Sequence, residues 1–137
     1  MEEKVYNPPR THLWFRKQYY PYVEDGTLTT IFRPGDRSPP HPKHLMSGEI
    51  VTLKIIEKPG NEEKQICPVL WPQEWKARVL HRDVHHIDNL LESYFIGSSP
   101  DVKSKEQLRQ HLSSIYGKEP YEFDIVTRII LRYGGLP

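Results

Sequence analysis

Arg33 ends a β-branched run, Thr27–Phe32, and is followed at once by Pro34-Gly35-Asp36, so a permanent cation stands where a strand turns. A guanidinium is a planar fork of donors, and its chemistry is recognition of a phosphate, a carboxylate or the acceptor edge of a base. Gly26 precedes the run and Gly35 follows it. Backbone amides beside a glycine can approach a ligand closely because no side chain intervenes. Ahead of this segment Trp14, Tyr19, Tyr20 and Tyr22 are interleaved with Arg16 and Lys17. Rings alternating with cations suit an unstacked base and its phosphate. Aromatic residues before a turn more often serve as core than as stacking platforms, and Arg33 could pair with Asp36 or Asp25 instead.

The charge distribution fits a ligand-binding reading of Arg33 and an ordinary solvated surface alike. From Arg10 to His44 six Lys or Arg face three Asp or Glu, a local net of +3, whereas from Leu45 onward 12 basic residues face 13 acidic ones. A local cationic excess suits a polyanion or a phosphate. The 137-residue length supports one core. Residues 1–10 read as an N-terminal extension and 11–137 as a single domain. No stretch approaches the roughly 20 apolar residues of a membrane span. The N-terminus, MEEKVYNPPR, lacks the apolar core of a signal peptide. Cys67 is the sole cysteine, which excludes an internal disulfide and a cysteine-based zinc cluster. A soluble cytoplasmic protein with no membrane partner is expected.

The elements that must position these residues alternate. Thr11–Phe15 reads as a short aromatic strand, and Arg16–Glu24 as one or two helical turns interrupted at Pro21. Thr27–Phe32 reads as a strand closed by Pro34-Gly35. Ser38–Ser47 carries too many prolines to pair in a sheet and reads as an extended loop. Glu49–Ile56 alternates as a strand should. Beyond it, Ile66–Leu70 and Ala77–His86 read as strands separated by an aromatic loop at Trp71–Trp75, and Ile87–Phe95 begins a helix. In Asp101–Tyr116, Val102, Leu108, Leu112 and Ile115 recur at near-helical spacing, Ser104 and Gln107 form a capping box, and Gly117 is a stop. Glu122–Tyr133 reads as the last strand. The expected fold class is α+β, with five or six strands in a partly closed barrel and two or three flanking helices.

An aromatic helical turn, then Gly26, a strand ending in Arg33 at the eighth position from it, then Gly35-Asp36 and a further strand, resembles the ASCH family of PUA-like barrels. That family's signature is GxKxxxxR followed by Gly-Asp. The helix Lys105–Tyr116 and a final strand from Phe123 fall in the same order, so the resemblance covers roughly Thr11 to Tyr133. It implies a mixed PUA-like β-barrel and a cleft beside the motif that takes RNA or a nucleotide-like ligand. Within that cleft Gly26, Arg33, Arg16, Lys17, Arg37, Trp14 and Tyr20 are the binding candidates. The departure from the signature is specific. Leu28 stands where the family has lysine, and Ile31 where its amidohydrolases carry threonine. Neither residue can act as base or nucleophile.

No catalytic residue is assigned, and no cofactor is expected. His41, His44, His81, His85, His86 and Asp83 invite a metal reading, yet alternation on a strand sends His81 and His85 to one face and His86 to the other. No metal site is expected. Trp71 and Trp75 read as caps on the core, with Glu74 between them as an outside candidate for an acid in the cleft. Two other function classes stay open: an enzyme of RNA or modified-nucleoside metabolism using Glu74, Asp83 or Glu49, and a protein-interaction domain. Because Leu28 and Ile31 occupy the motif positions, purified protein is expected not to hydrolyse acetylated cytidine. Product formation that disappears when a neighbouring acid is neutralised is the result that defeats this expectation.

Overall fold

The runs rich in Ile, Val, Phe and Thr become strands. They are His12–Arg16 (β1), Thr30–Pro34 (β2), Ile50–Lys58 (β3), Val69–His86 (β4) and Ile125–Tyr133 (β5). A computed structural model describes residues 9–61 and 63–134, which form an α+β fold around one mixed, half-barrel sheet. The strand order is β1-β3-β4-β5-β2. Only the β1–β3 pair is parallel, with His12 opposite Thr52 and Arg16 opposite Ile56; the other pairs are antiparallel. Thr27–Phe32, Glu49–Ile56 and Glu122–Tyr133, read as strands from sequence, thus contribute to a single sheet, the last of them from Ile125.

Two apolar clusters flank the sheet. Leu13, Phe15, Val51, Leu53, Ile55, Val79, Ile129 and Leu131 pack with Val23 of a short helix, Tyr20–Glu24 (α1). Phe32, Ile87, Phe95 and Val126 pack with Leu108 and Leu112 of a longer one, Lys105–Tyr116 (α2). Ser104 Oγ accepts from Gln107 N at 3.2 Å, and Gly117 ends the helix at φ 74°. The capping box is only half formed, because the Gln107 side chain accepts from Lys103 N at 2.7 Å rather than from the backbone of Ser104.

Several boundaries differ from the sequence reading, each for a local reason. Ile66–Leu70, Trp71–Trp75 and Ala77–His86 are not strand, loop and strand. Residues 69–86 form one continuous strand, and Ile66 contributes only an isolated bridge to Asn61. Pro72 is tolerated because the β3 register slips between Lys54 and Ile56, where no ladder donor is required. Trp71 and Trp75 stay extended by packing on Tyr20, with ring centroids 4.8 and 6.0 Å away. Ile87–Phe95 is not an α-helix but two 3₁₀ turns, split where Leu90 and Leu91 adopt extended backbone. Pro21 does not interrupt α1; it lies in the first turn, where a missing N–H costs nothing. The second strand starts at Thr30, not Thr27, because Asp25 Oδ1 accepts from Thr27 N and Thr27 Oγ1 and holds a turn there.

Gly97 is the glycine this architecture needs most. Its φ is 86°, its carbonyl accepts from both Thr29 N and Thr30 N, and a Cβ there would run into the Thr29 hydroxyl. It clamps the start of β2 onto the segment leading to α2. The energetics of the larger cluster are testable at Leu53, which is fully buried at the middle of β3. Leu53→Ala is expected to cost about 2–5 kcal/mol of stability. Chemical denaturation should show a lower midpoint at an unchanged slope.

Candidate anion-binding cavity

β1 and β2 are the two ends of the strand order, and the half-barrel leaves a gap between them. In that gap lies a cavity of about 320 Å³, lined by His12–Arg16 of β1, by Thr30–Arg33 of β2, and by His111, Ile115 and Tyr116 of α2. Arg33 spans the gap, its guanidinium 5.5 Å from the centroid of the Phe15 ring across it, within the range of a cation–π contact. Its hydrogen bonding within the protein is poor: Nη1 reaches only the Phe32 carbonyl at 3.5 Å.

The alternative partners for Arg33 are committed elsewhere. Asp25 accepts from Thr27, and Asp36 accepts from Ser38 N at 2.9 Å. Among the described residues Arg33 has no carboxylate partner, and no Asp or Glu lines the cavity. Arg10, Arg16, Arg37 and Lys43 line it as well. Arg10 is neutralised by Glu49, whose carboxyl that hydrogen bond holds at a pKa of about 2. Arg16 donates to the Ser114 carbonyl at 2.9 Å, an uncharged partner. Arg37 Nε and Trp14 Nε1 are buried without any hydrogen-bond partner. Burial lowers the Arg33 pKa and like charge from Arg37 adds to the effect, as expected where cations are gathered without counterions. A guanidinium poorly hydrogen-bonded within the protein and facing a concave site suits an acceptor-rich, anionic ligand.

The structure therefore brings together four of the sequence candidates: Arg33, Arg16, Arg37 and Trp14. It does not bring the others to this cavity. Gly26, at φ 73°, turns the chain against the Tyr133 ring. Lys17 pairs with Glu57 at 3.4 Å, and Tyr20 packs on Trp71 and Trp75. Glu74 is exposed on β4 and pairs with Lys76 at 3.1 Å, away from the cavity. Leu28 and Ile31 line the cavity as buried apolar side chains, so the motif positions that carry chemistry in amidohydrolases carry packing here. His111 was not among the candidates, although its signal is present. It shares the stripe of Leu108, Leu112 and Ile115 at helical spacing, and a histidine on an apolar stripe is a polar group requiring a partner.

No protein-family model, curated protein or solved structure matches this chain.

Two of the three histidines of β4, His81 and His85, flank a carboxylate that is already neutralised, while His86 lies 3.8 Å from Asp88. Asp83 accepts two hydrogen bonds from Arg128, at 3.0 and 2.7 Å, while His81 Nε2 and His85 Nε2 each lie 3.1 Å from one of its oxygens. The His85 approach is too poorly aligned to be a hydrogen bond. Arg128 in turn stacks over Tyr94 at 4.4 Å. Burial alone would raise the Asp83 carboxyl, but Arg128 and His85 outweigh it and hold its pKa at about 2. The sign of the linkage follows. With an unfolded value near about 3.9, the stabilisation from Asp83 is fully present above that pH and is lost as pH falls toward its folded value. Asp83→Asn should flatten the acid limb of a stability-against-pH curve between about pH 4 and 2. An unaltered limb, measured by urea unfolding at each pH, would contradict this.

Proposed function

We propose that the chain is an ASCH-like, PUA-like domain that binds RNA or a nucleotide-like ligand through an anionic group placed in the cavity between β1 and β2. The observation that carries this reading is Arg33: a desolvated guanidinium facing a concave site, with no carboxylate among the described residues to neutralise it. Retaining such a charge is unfavourable for the free protein, since a half-buried cation without a carboxylate partner loses hydration that no counterion replaces. A ligand oxyanion would supply the missing partner. The flanking chemistry is of the same kind. Arg37 and Trp14 hold unused donors, and Phe15, Phe32 and Tyr116 offer apolar faces for a base. The volume falls at the lower end of the range for small-molecule pockets, which favours one nucleotide-sized group over a duplex groove. Arg33 near the end of β2 is also where the ASCH resemblance puts the cleft.

The test is Arg33→Ala, assayed with a fluorescent short RNA and with mononucleotides across a salt titration. Affinity should fall by about 1–3 kcal/mol, the size of a charge-assisted hydrogen bond, and the salt dependence should flatten. The melting temperature should hold or rise rather than fall, because the change removes a cation that has no ion pair among the described residues. Reduced stability with unchanged affinity would overturn the role assigned to Arg33.

A further inference from the structure

Three groups from three segments meet at one side of the cavity: Tyr19 in the turn after β1, Asp101 just ahead of α2, and His111 within α2. The Tyr19 hydroxyl donates to Asp101 Oδ2 at 2.6 Å, and the Tyr19 phenol oxygen lies 3.1 Å from His111 Nδ1, which is itself 3.9 Å from Asp101 Oδ2. Ser99 Oγ donates to the other carboxylate oxygen at 2.6 Å. Burial pushes the Asp101 carboxyl up, but the bonds from Ser99 and Tyr19 outweigh it and leave it below its ordinary range, so it is an acceptor only. A phenol has one proton, and Tyr19 gives it to the carboxylate. The contact with His111 is therefore a hydrogen bond only if Nδ1 carries the proton and donates to the phenol oxygen.

That assignment has a consequence at the other ring nitrogen. Burial lowers the His111 pKa, and the charges of Arg33 and Arg16 lower it further against the pull of Asp101, so the ring is neutral at neutral pH. A neutral ring protonated at Nδ1 bears a lone pair at Nε2. His111 Nε2 has no hydrogen-bond partner among the described residues, and the residue lines the cavity. The lining around it is rich in donors, so this nitrogen is an acceptor in a site otherwise arranged to give hydrogen bonds.

We propose that His111 Nε2 is a specificity-determining acceptor that selects ligands carrying an N–H or O–H group in addition to their anion, with Tyr19 and Asp101 as positioning residues that fix its tautomer. The inference rests on the reading of the cavity as an anion site. A ribonucleotide satisfies both requirements, through either its ribose hydroxyls or the N–H groups of its base. Inorganic phosphate supplies the anion alone and separates the two readings.

Calorimetric titration of the wild type, His111→Phe and Arg33→Ala with inorganic phosphate and with the four 5′-ribonucleotides tests this. His111→Phe is expected to weaken the tightest nucleotide by about tenfold while leaving phosphate affinity unchanged. Arg33→Ala should weaken both. The 2′-deoxy and base N-methylated forms of that nucleotide locate the donor, since the analogue lacking it should lose the same factor and become insensitive to His111→Phe. Equal nucleotide affinity in wild type and His111→Phe, with phosphate binding intact, overturns this inference and leaves the anion site standing. Absence of binding by phosphate and by all four nucleotides overturns both. Nitrogen-15 NMR of the wild-type imidazole gives a check that needs no folded variant. His111 should show a protonated Nδ1 and a bare Nε2 at neutral pH, and Tyr19→Phe should shift the ring toward the other tautomer. An Nε2–H or doubly protonated ring in the wild type overturns the proposal.

Discussion

A sheet that curls but does not close is the constraint on which the rest of this molecule depends. β1 and β2 each have one hydrogen-bonded neighbour, and their free edges border the same gap. An open edge is usually blunted with charge, because unpaired backbone groups invite another strand. Here the charge is Arg33, and it lies across the gap above Phe15. The cation that guards the opening is thereby also the group best placed to receive whatever enters it. Among the described residues no ion pair holds Arg33 in position; one face of the guanidinium lies over Phe15, and its N–H edge has no carboxylate partner there.

The two apolar clusters explain how such an opening is kept rigid. The cluster under α1 fixes β1 and β3, and the cluster under α2 fixes the far ends of β4 and β5. β2 contributes to both, through Ile31 on one side and Phe32 on the other. Gly97 then ties the entry of β2 to the loop that leads into α2. Every wall of the cavity is therefore anchored to a different part of the core. A site built on packed elements holds its geometry better than one built on loops.

What could be read from sequence follows the range of the interactions involved. Ser104 and Gly117 announce α2 because caps are local. The end of β2 was legible to within two residues for the same reason: the strand runs on through Arg33 and Pro34, which pair with Thr127 and Val126, and stops at Gly35. Long-range packing was not legible. Trp71–Trp75 looked like a loop because Pro72 interrupts it, and only the β3 register slip and the Tyr20 ring explain why the strand runs on. Of the candidate site, Trp14, Arg16, Arg33 and Arg37 converge, whereas Lys17 and Tyr20 face Glu57 and the tryptophans instead. His111 lies 78 positions after Arg33 and is brought to it by tertiary structure, which no local pattern encodes.

The strand order has a temporal side. The two walls of the cavity are near neighbours along the chain, but each is stabilised by a partner made at a different moment. β1 pairs with β3, which is complete by Lys58, whereas β2 pairs with β5, which starts only at Ile125. A chain emerging from the ribosome N-terminus first can secure one wall while the other still has no strand to bind. For most of synthesis β2 is an unpaired apolar strand ending in a cation. The arginine that marks the finished site is then also the charge that keeps this waiting edge from pairing with a neighbouring chain.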